Sequence, residues 1–74
     1  MTITVYTKPI CPQCKATLRK ADQLGLDVEV VDVATDPGQA ERLRAEGFTA
    51  MPVVKTGDQQ WTGYRPDRLQ ELAD

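Results

Sequence analysis

Cys11 and Cys14 are the only cysteines in the chain, and two residues separate them in Cys11-Pro12-Gln13-Cys14. Two thiols at that spacing can act in succession in disulfide exchange, in which the thiolate is the nucleophile. The same spacing is also half of many zinc sites, which need two further Cys or His ligands. The chain has no third cysteine and no histidine. One chain therefore cannot close a tetrahedral zinc site, and a shared site would need four cysteines meeting between two copies. Two inert buried cysteines are the other alternative, and the sequence around the pair argues against it.

That surrounding sequence predicts where the thiols sit. Ile3-Thr4-Val5-Tyr6-Thr7 alternates as a first strand, and Thr7-Lys8-Pro9-Ile10 is the loop that delivers the chain to Cys11. Pro12 falls in the first turn of a helix, where its missing N–H is harmless. Lys15 to Leu24 has helical composition, with Ala16, Leu18, Ala21 and Leu24 at the apolar positions and Gly25 as the stop. Val28, Val30, Val31 and Val33 make a second strand. Strand, helix and strand form a βαβ unit with parallel strands and a right-handed crossover. In an intracellular protein, C-x-x-C beside such a unit reads as a thioredoxin-like redox motif.

Further along, Asp36-Pro37 starts a second helix that runs to about Glu46, with Ala40 and Leu43 facing inward and Gly47 ending it. Val53-Val54-Lys55 and Gln59-Gln60-Trp61-Thr62 form a hairpin around Gly57-Asp58. Pro66 opens a terminal helix, Asp67 to Ala73, with Leu69 and Leu72 inward. The expected fold is therefore α/β, thioredoxin-like, β-α-β-α-β-β-α: a four-stranded mixed sheet flanked by three helices, as one domain over residues 1–74.

Roles follow from this placement. Cys11 lies at the helix start, meets solvent and is nearest the free N–H groups, so its pKa should be depressed and it attacks first. Cys14, one turn on and shielded, resolves the mixed disulfide. Lys8 either adds a positive charge near the thiols or is a solvated loop lysine; both readings stay open. In a thioredoxin-like layout, the loop before the third strand carries a cis-proline facing the cysteines; Met51-Pro52 is either that proline or an ordinary one opening a strand, and the C-x-x-C favours the cis reading. The residue before the proline then offers backbone groups to an extended substrate. Trp61, with Tyr64 and Arg65 close by, is either a core cap or part of a docking surface of interface-type residues. Tyr6 and Phe48 are expected in or near the core, and Asp22, Asp27, Glu29, Asp32, Glu41 and Glu46 on a solvated surface.

The totals narrow the partners. Seventy-four residues make one domain with a marginal core, since a domain of about 60 residues buries only about 60% of its unfolded surface. A net charge of −2 and no basic cluster argue against nucleic acid. No apolar run approaches the ~20 residues of a membrane span. A chain that enters a strand directly after Met1 is expected to lack a leader, which points to the cytoplasm, where a permanent structural disulfide is unusual.

The chain resembles the NrdH-redoxin group of glutaredoxin-like proteins. The residues that carry the likeness are Ile3-Thr4-Val5-Tyr6-Thr7, Cys11-Pro12-Gln13-Cys14-Lys15-Ala16-Thr17, Gly47-Phe48, Met51-Pro52-Val53-Val54, Gly57-Asp58 and Trp61-Thr62-Gly63-Tyr64-Arg65-Pro66-Asp67. The C-x-x-C is weakly specific among redox proteins; the terminal stretch is strongly specific. The resemblance implies an electron donor without a bound cofactor, reduced by thioredoxin reductase and passing electrons to the large subunit of class Ib ribonucleotide reductase. It implies Cys11 as attacking thiol, Cys14 as resolving thiol and Pro52 as the cis-proline, flanked by Lys8, Pro12, Gln13 and Met51. Trp61, Thr62, Gly63, Tyr64 and Arg65 would form the partner surface, with the segment to Asp67 tied over the place where ordinary glutaredoxins hold glutathione. Those proteins have Thr-Val-Pro where this chain has Ala50-Met51-Pro52, and Gly-Gly-x-x-Asp where it has Thr62 to Asp67, with Tyr64 in place of the second glycine. Pro12 departs from the group, whose motif most often has Val-Gln between the cysteines; proline there is the habit of ordinary glutaredoxins.

Two rival functions remain at this stage. A glutathione-dependent glutaredoxin would be reduced by glutathione directly. A metal or iron–sulfur carrier would be a dimer joined through Cys11, whereas the redox reading expects a monomer.

Overall fold

The computed structural model describes residues 2–74; Met1, on which the expectation of a leaderless start rests, lies outside them. The elements run β1 (Thr2–Thr7), α1 (Pro12–Gln23), β2 (Asp27–Asp32), α2 (Pro37–Ala45), β3 (Val53–Lys55), β4 (Gln60–Thr62) and α3 (Pro66–Ala73). The sheet order is β2-β1-β3-β4. β1 pairs in parallel with β2 and antiparallel with β3, and β3 pairs antiparallel with β4. This is the thioredoxin-like order expected from the sequence, with boundaries moved by a residue or two.

Local chemistry explains the helix limits. All three helices begin at a proline, which suits the first turn. Asp36 caps α2 by accepting from Gln39 N at 3.2 Å. At the end of α1, Gly25 adopts φ +72°, Gly25 N donates to Asp22 O at 3.0 Å and Leu26 N to Ala21 O at 3.0 Å. That pair of bonds satisfies two carbonyls of the last turn. Gly47 repeats the arrangement after α2, with Phe48 N donating to Leu43 O at 2.9 Å.

β1 is central and therefore buried on both faces. Ile3 and Val5 join Val54, Trp61 and Leu69 in one cluster, sealed by Leu18 of α1, Leu24 just after it and Leu72 of α3. Tyr6 and Val53 point the other way, onto Leu43 of α2, with Val31, Val33, Phe48 and Met51 around them. So α1 and α3 cover one face and α2 the other. β2 is an outer strand, which leaves Val30 53% exposed beside Val5.

Two sequence expectations shift. The buried positions of α1 are Cys14, Thr17 and Ala21, while Ala16, Leu18 and Leu24 are only half-buried. Thr17 tolerates full burial because its hydroxyl donates to Gln13 O at 2.8 Å within the same helix. Ala40 is half-buried, and Leu43 alone anchors α2. Of the two readings left open for Trp61, the core one describes its side chain, since the Val54–Trp61 register turns it toward α3.

Candidate active site

Pro12 sets the local geometry of the thiols. A residue before proline is driven to extended backbone, and Cys11 has φ −130° and ψ 96°, which makes it the N-cap of α1. Its sulfur is thereby aimed back at the first turn, where Cys14 N donates to Cys11 Sγ at 3.2 Å. An N–H at a helix N-terminus pointed at sulfur favours the thiolate over the thiol once the pair is reduced. Here the pair is a disulfide, with 5.2 Å between the Cα atoms.

The loop before β3 faces this disulfide. The Met51–Pro52 peptide is cis, and the Met51 carbonyl oxygen lies 3.9 Å from Cys11 Sγ. Pro52 is buried and Met51 half-buried. Thr62 at the end of β4 fixes this loop from below: its hydroxyl is 2.9 Å from Ala50 O and 3.1 Å from Pro52 O. Gly63 N adds a third tie to Pro52 O at 2.9 Å.

Gln13 joins the third segment. It is exposed, and its Oε1 accepts from Tyr64 N at 3.3 Å. Gly63, at φ +88°, turns the chain there, and a Cβ on it would lie 3.6 Å from the same oxygen. Arg65 then closes on Asp67, Nε to Oδ1 at 3.3 Å and Nη2 to Oδ2 at 3.1 Å. The hydrogen bond from Arg65 holds the Asp67 carboxyl below the usual carboxylate range, and the same bond raises Arg65. Beneath them, the Arg68 guanidinium lies 4.7 Å from the Trp61 ring centre and donates to Gln59 Oε1 at 2.8 Å.

The structure thus brings Cys11, Cys14, Pro12, Gln13, Met51, Pro52, Thr62, Gly63 and Tyr64 together. Lys8 is exposed and appears in no hydrogen bond or ion pair among the described residues. The expected contrast between an open Cys11 and a shielded Cys14 needs correcting. As a disulfide both are nearly covered, at 5% and 3% exposure. Trp61, at 5%, can support a partner surface only from beneath. Sequence reading missed Arg68, and it missed Ile10, which is 94% exposed with φ +54° directly before Cys11.

A C-x-x-C disulfide at the start of the first helix, facing a cis-proline across the end of a four-stranded sheet, defines a thiol–disulfide oxidoreductase of the thioredoxin fold. Comparison with known proteins narrows the class. The glutaredoxin family model matches residues 3–61. The glutaredoxin-like protein NrdH of Escherichia coli is 47% identical over 72 residues, 97% of this chain and 89% of that protein. Its counterpart in Lactococcus lactis is 31% identical over 96% of this chain and 99% of that protein. The solved structure of the E. coli NrdH-redoxin, described as glutaredoxin-like with a thioredoxin-like activity profile, superposes with a TM-score of 0.94 over 97% of this chain and 95% of that one. The chain belongs to the glutaredoxin family, in its NrdH-like branch. Among the described residues, no helix is long and apolar enough to cross a membrane.

Proposed function

We propose that this protein is a dithiol electron donor of the NrdH type, which reduces disulfides in partner proteins and draws its electrons from thioredoxin reductase rather than from glutathione. One observation carries the reading. The two groups in this segment that a glutathione grip would use are already engaged within the chain: the Tyr64 N–H by Gln13, and the Asp67 carboxylate by Arg65. The thioredoxin-like activity profile described for the E. coli relative agrees with that closure. The substrate of such a donor is the large subunit of class Ib ribonucleotide reductase. The setting is cytoplasmic and the working form a monomer.

The reaction balances without a bound cofactor. The Cys11 thiolate attacks one sulfur of the substrate disulfide; a new intermolecular S–S bond forms and the other substrate sulfur leaves as a thiolate, which takes up a proton. The Cys14 thiol gives up its proton and attacks Cys11 Sγ, so the Cys11–Cys14 bond forms and the second substrate sulfur departs. Two electrons have then passed to the substrate. The flavoprotein reductase then supplies two new electrons, from NADPH, to the Cys11–Cys14 disulfide and restores the dithiol. Met51 and Pro52 would align the extended substrate chain beside Cys11, and Thr62, Tyr64 and Arg65 would meet the partner, with Trp61 and Gly63 shaping that edge.

The test compares turnover of the oxidised protein under two supplies. NADPH with thioredoxin reductase should sustain it, and NADPH, glutathione reductase and glutathione should not. Turnover on glutathione alone would overturn the reading and make Pro12 the more telling residue.

A further inference from the structure

Ile10 is the one described non-glycine residue with positive φ, at +54°, and at 94% it is the most exposed large apolar side chain among the described residues. Its backbone follows from its neighbours. Pro9 has a locked φ, and Cys11 is held extended by Pro12, so the turn into α1 falls on Ile10. Glycine or asparagine would adopt that conformation easily; a β-branched residue does so only at a cost. Strain of this kind persists where the surroundings or a function require it. The side chain contributes to neither apolar cluster. Isoleucine here is therefore unfavourable twice over, in backbone and in solvation, and folding draws nothing from it.

Its position suggests what does. Ile10 is bonded to Cys11, whose sulfur faces the Met51 carbonyl at 3.9 Å, and Gln13 holds Tyr64 at the same rim. The backbones of Met51 and Tyr64 thus come to the same rim, and Tyr64 is a second exposed large apolar residue there, at 38%. We propose that Ile10 is a specificity-determining contact: it selects partner segments that carry an apolar side chain next to the disulfide cysteine being reduced. The proposal rests on the reading of this protein as a protein-disulfide reductant. It also gives that reading a physical basis at this position, because glutathione is a charged tripeptide with no apolar side chain to set against Ile10.

The test uses the full-length reduced protein and three disulfides: a synthetic peptide with a leucine beside each cysteine of its intramolecular disulfide, the same peptide with serine at those places, and oxidised glutathione. Rate constants are measured for the wild type and for Ile10→Asn, Ile10→Gly and Ile10→Val, with melting temperatures. Losing the contact should lower the ratio of leucine-peptide to serine-peptide rate constants about fivefold in Ile10→Asn and Ile10→Gly, a size fitting partial burial of one aliphatic side chain. Ile10→Val, which keeps an apolar branch and the strain, should hold the ratio within twofold. Ile10→Asn should also melt at a higher temperature than the wild type. An unchanged ratio in both the Asn and Gly variants, in a wild type that prefers the peptides to oxidised glutathione, would overturn the Ile10 assignment alone. A wild type that prefers oxidised glutathione would overturn the protein-disulfide reading and the assignment with it.

Discussion

At the scale of single residues, the site depends on small polar ties rather than on charge. Thr62 carries the most, since one hydroxyl faces the carbonyls of Ala50 and Pro52 at 2.9 and 3.1 Å and so fixes the loop that faces Cys11. Thr62→Val keeps the shape and removes the donor. A net loss of about 1 kcal/mol is expected in urea unfolding, the usual size for one hydrogen bond. The rate toward a protein disulfide should fall more than the rate toward a small one, because the Met51 backbone is what an extended chain would meet. Several of these residues could be named from the sequence: Cys11, Cys14 and Met51-Pro52 are local motifs. The tie from Gln13 to Tyr64 could not, because it joins positions far apart in the chain and depends on the turn at Gly63. Ile10 could have been noticed, since Pro-Ile-Cys-Pro leaves only the isoleucine free to make the turn.

At the scale of elements, α3 is what holds the partner edge in place, and it is anchored by one fully buried side chain, Leu69. Leu69→Ala should cost about 2–5 kcal/mol by lost burial and the cavity left among Ile3, Val5, Val54 and Trp61. The start of α3 carries the Arg65–Asp67 pair, and this gives a pH prediction with a definite sign. The folded Asp67 pKa is depressed by Arg65, so its contribution is present above the ordinary carboxylate range, near 3.9, and is lost as pH falls through the lower folded value. The difference in melting temperature between wild type and Asp67→Asn should therefore shrink on acidification, and shrink also with salt, because both side chains are exposed. Helix starts and stops were the most legible features of the chain. Asp36-Pro37, Pro66, Gly25 and Gly47 act through their own backbone chemistry. Which face of α1 is buried was less legible, because Thr17 takes a core place that its polarity hides and only the packing against the sheet reveals.

At the scale of the whole molecule, 74 residues imply a total stability of about 4–11 kcal/mol. Leu69→Ala alone would remove a large share of that, so its unfolding should be visible near physiological temperature. The two apolar clusters lie on opposite faces of one sheet and share β1, the strand from which the chain enters Cys11. The order of elements was readable because each strand and helix has its own punctuation. Trp61 was ambiguous because a three-residue strand does not declare its face; the register against Val54 decides it.

The most direct measurement is mass spectrometry of the intermediate formed when single-cysteine variants meet an oxidised protein substrate. Cys14→Ser should accumulate a mixed disulfide through Cys11, because attack can occur and resolution cannot. Cys11→Ser should accumulate none. A stable mixed disulfide through Cys14 in Cys11→Ser, with none in Cys14→Ser, would contradict Cys11 as the attacking thiol and the role assigned to the α1 N-terminus with it.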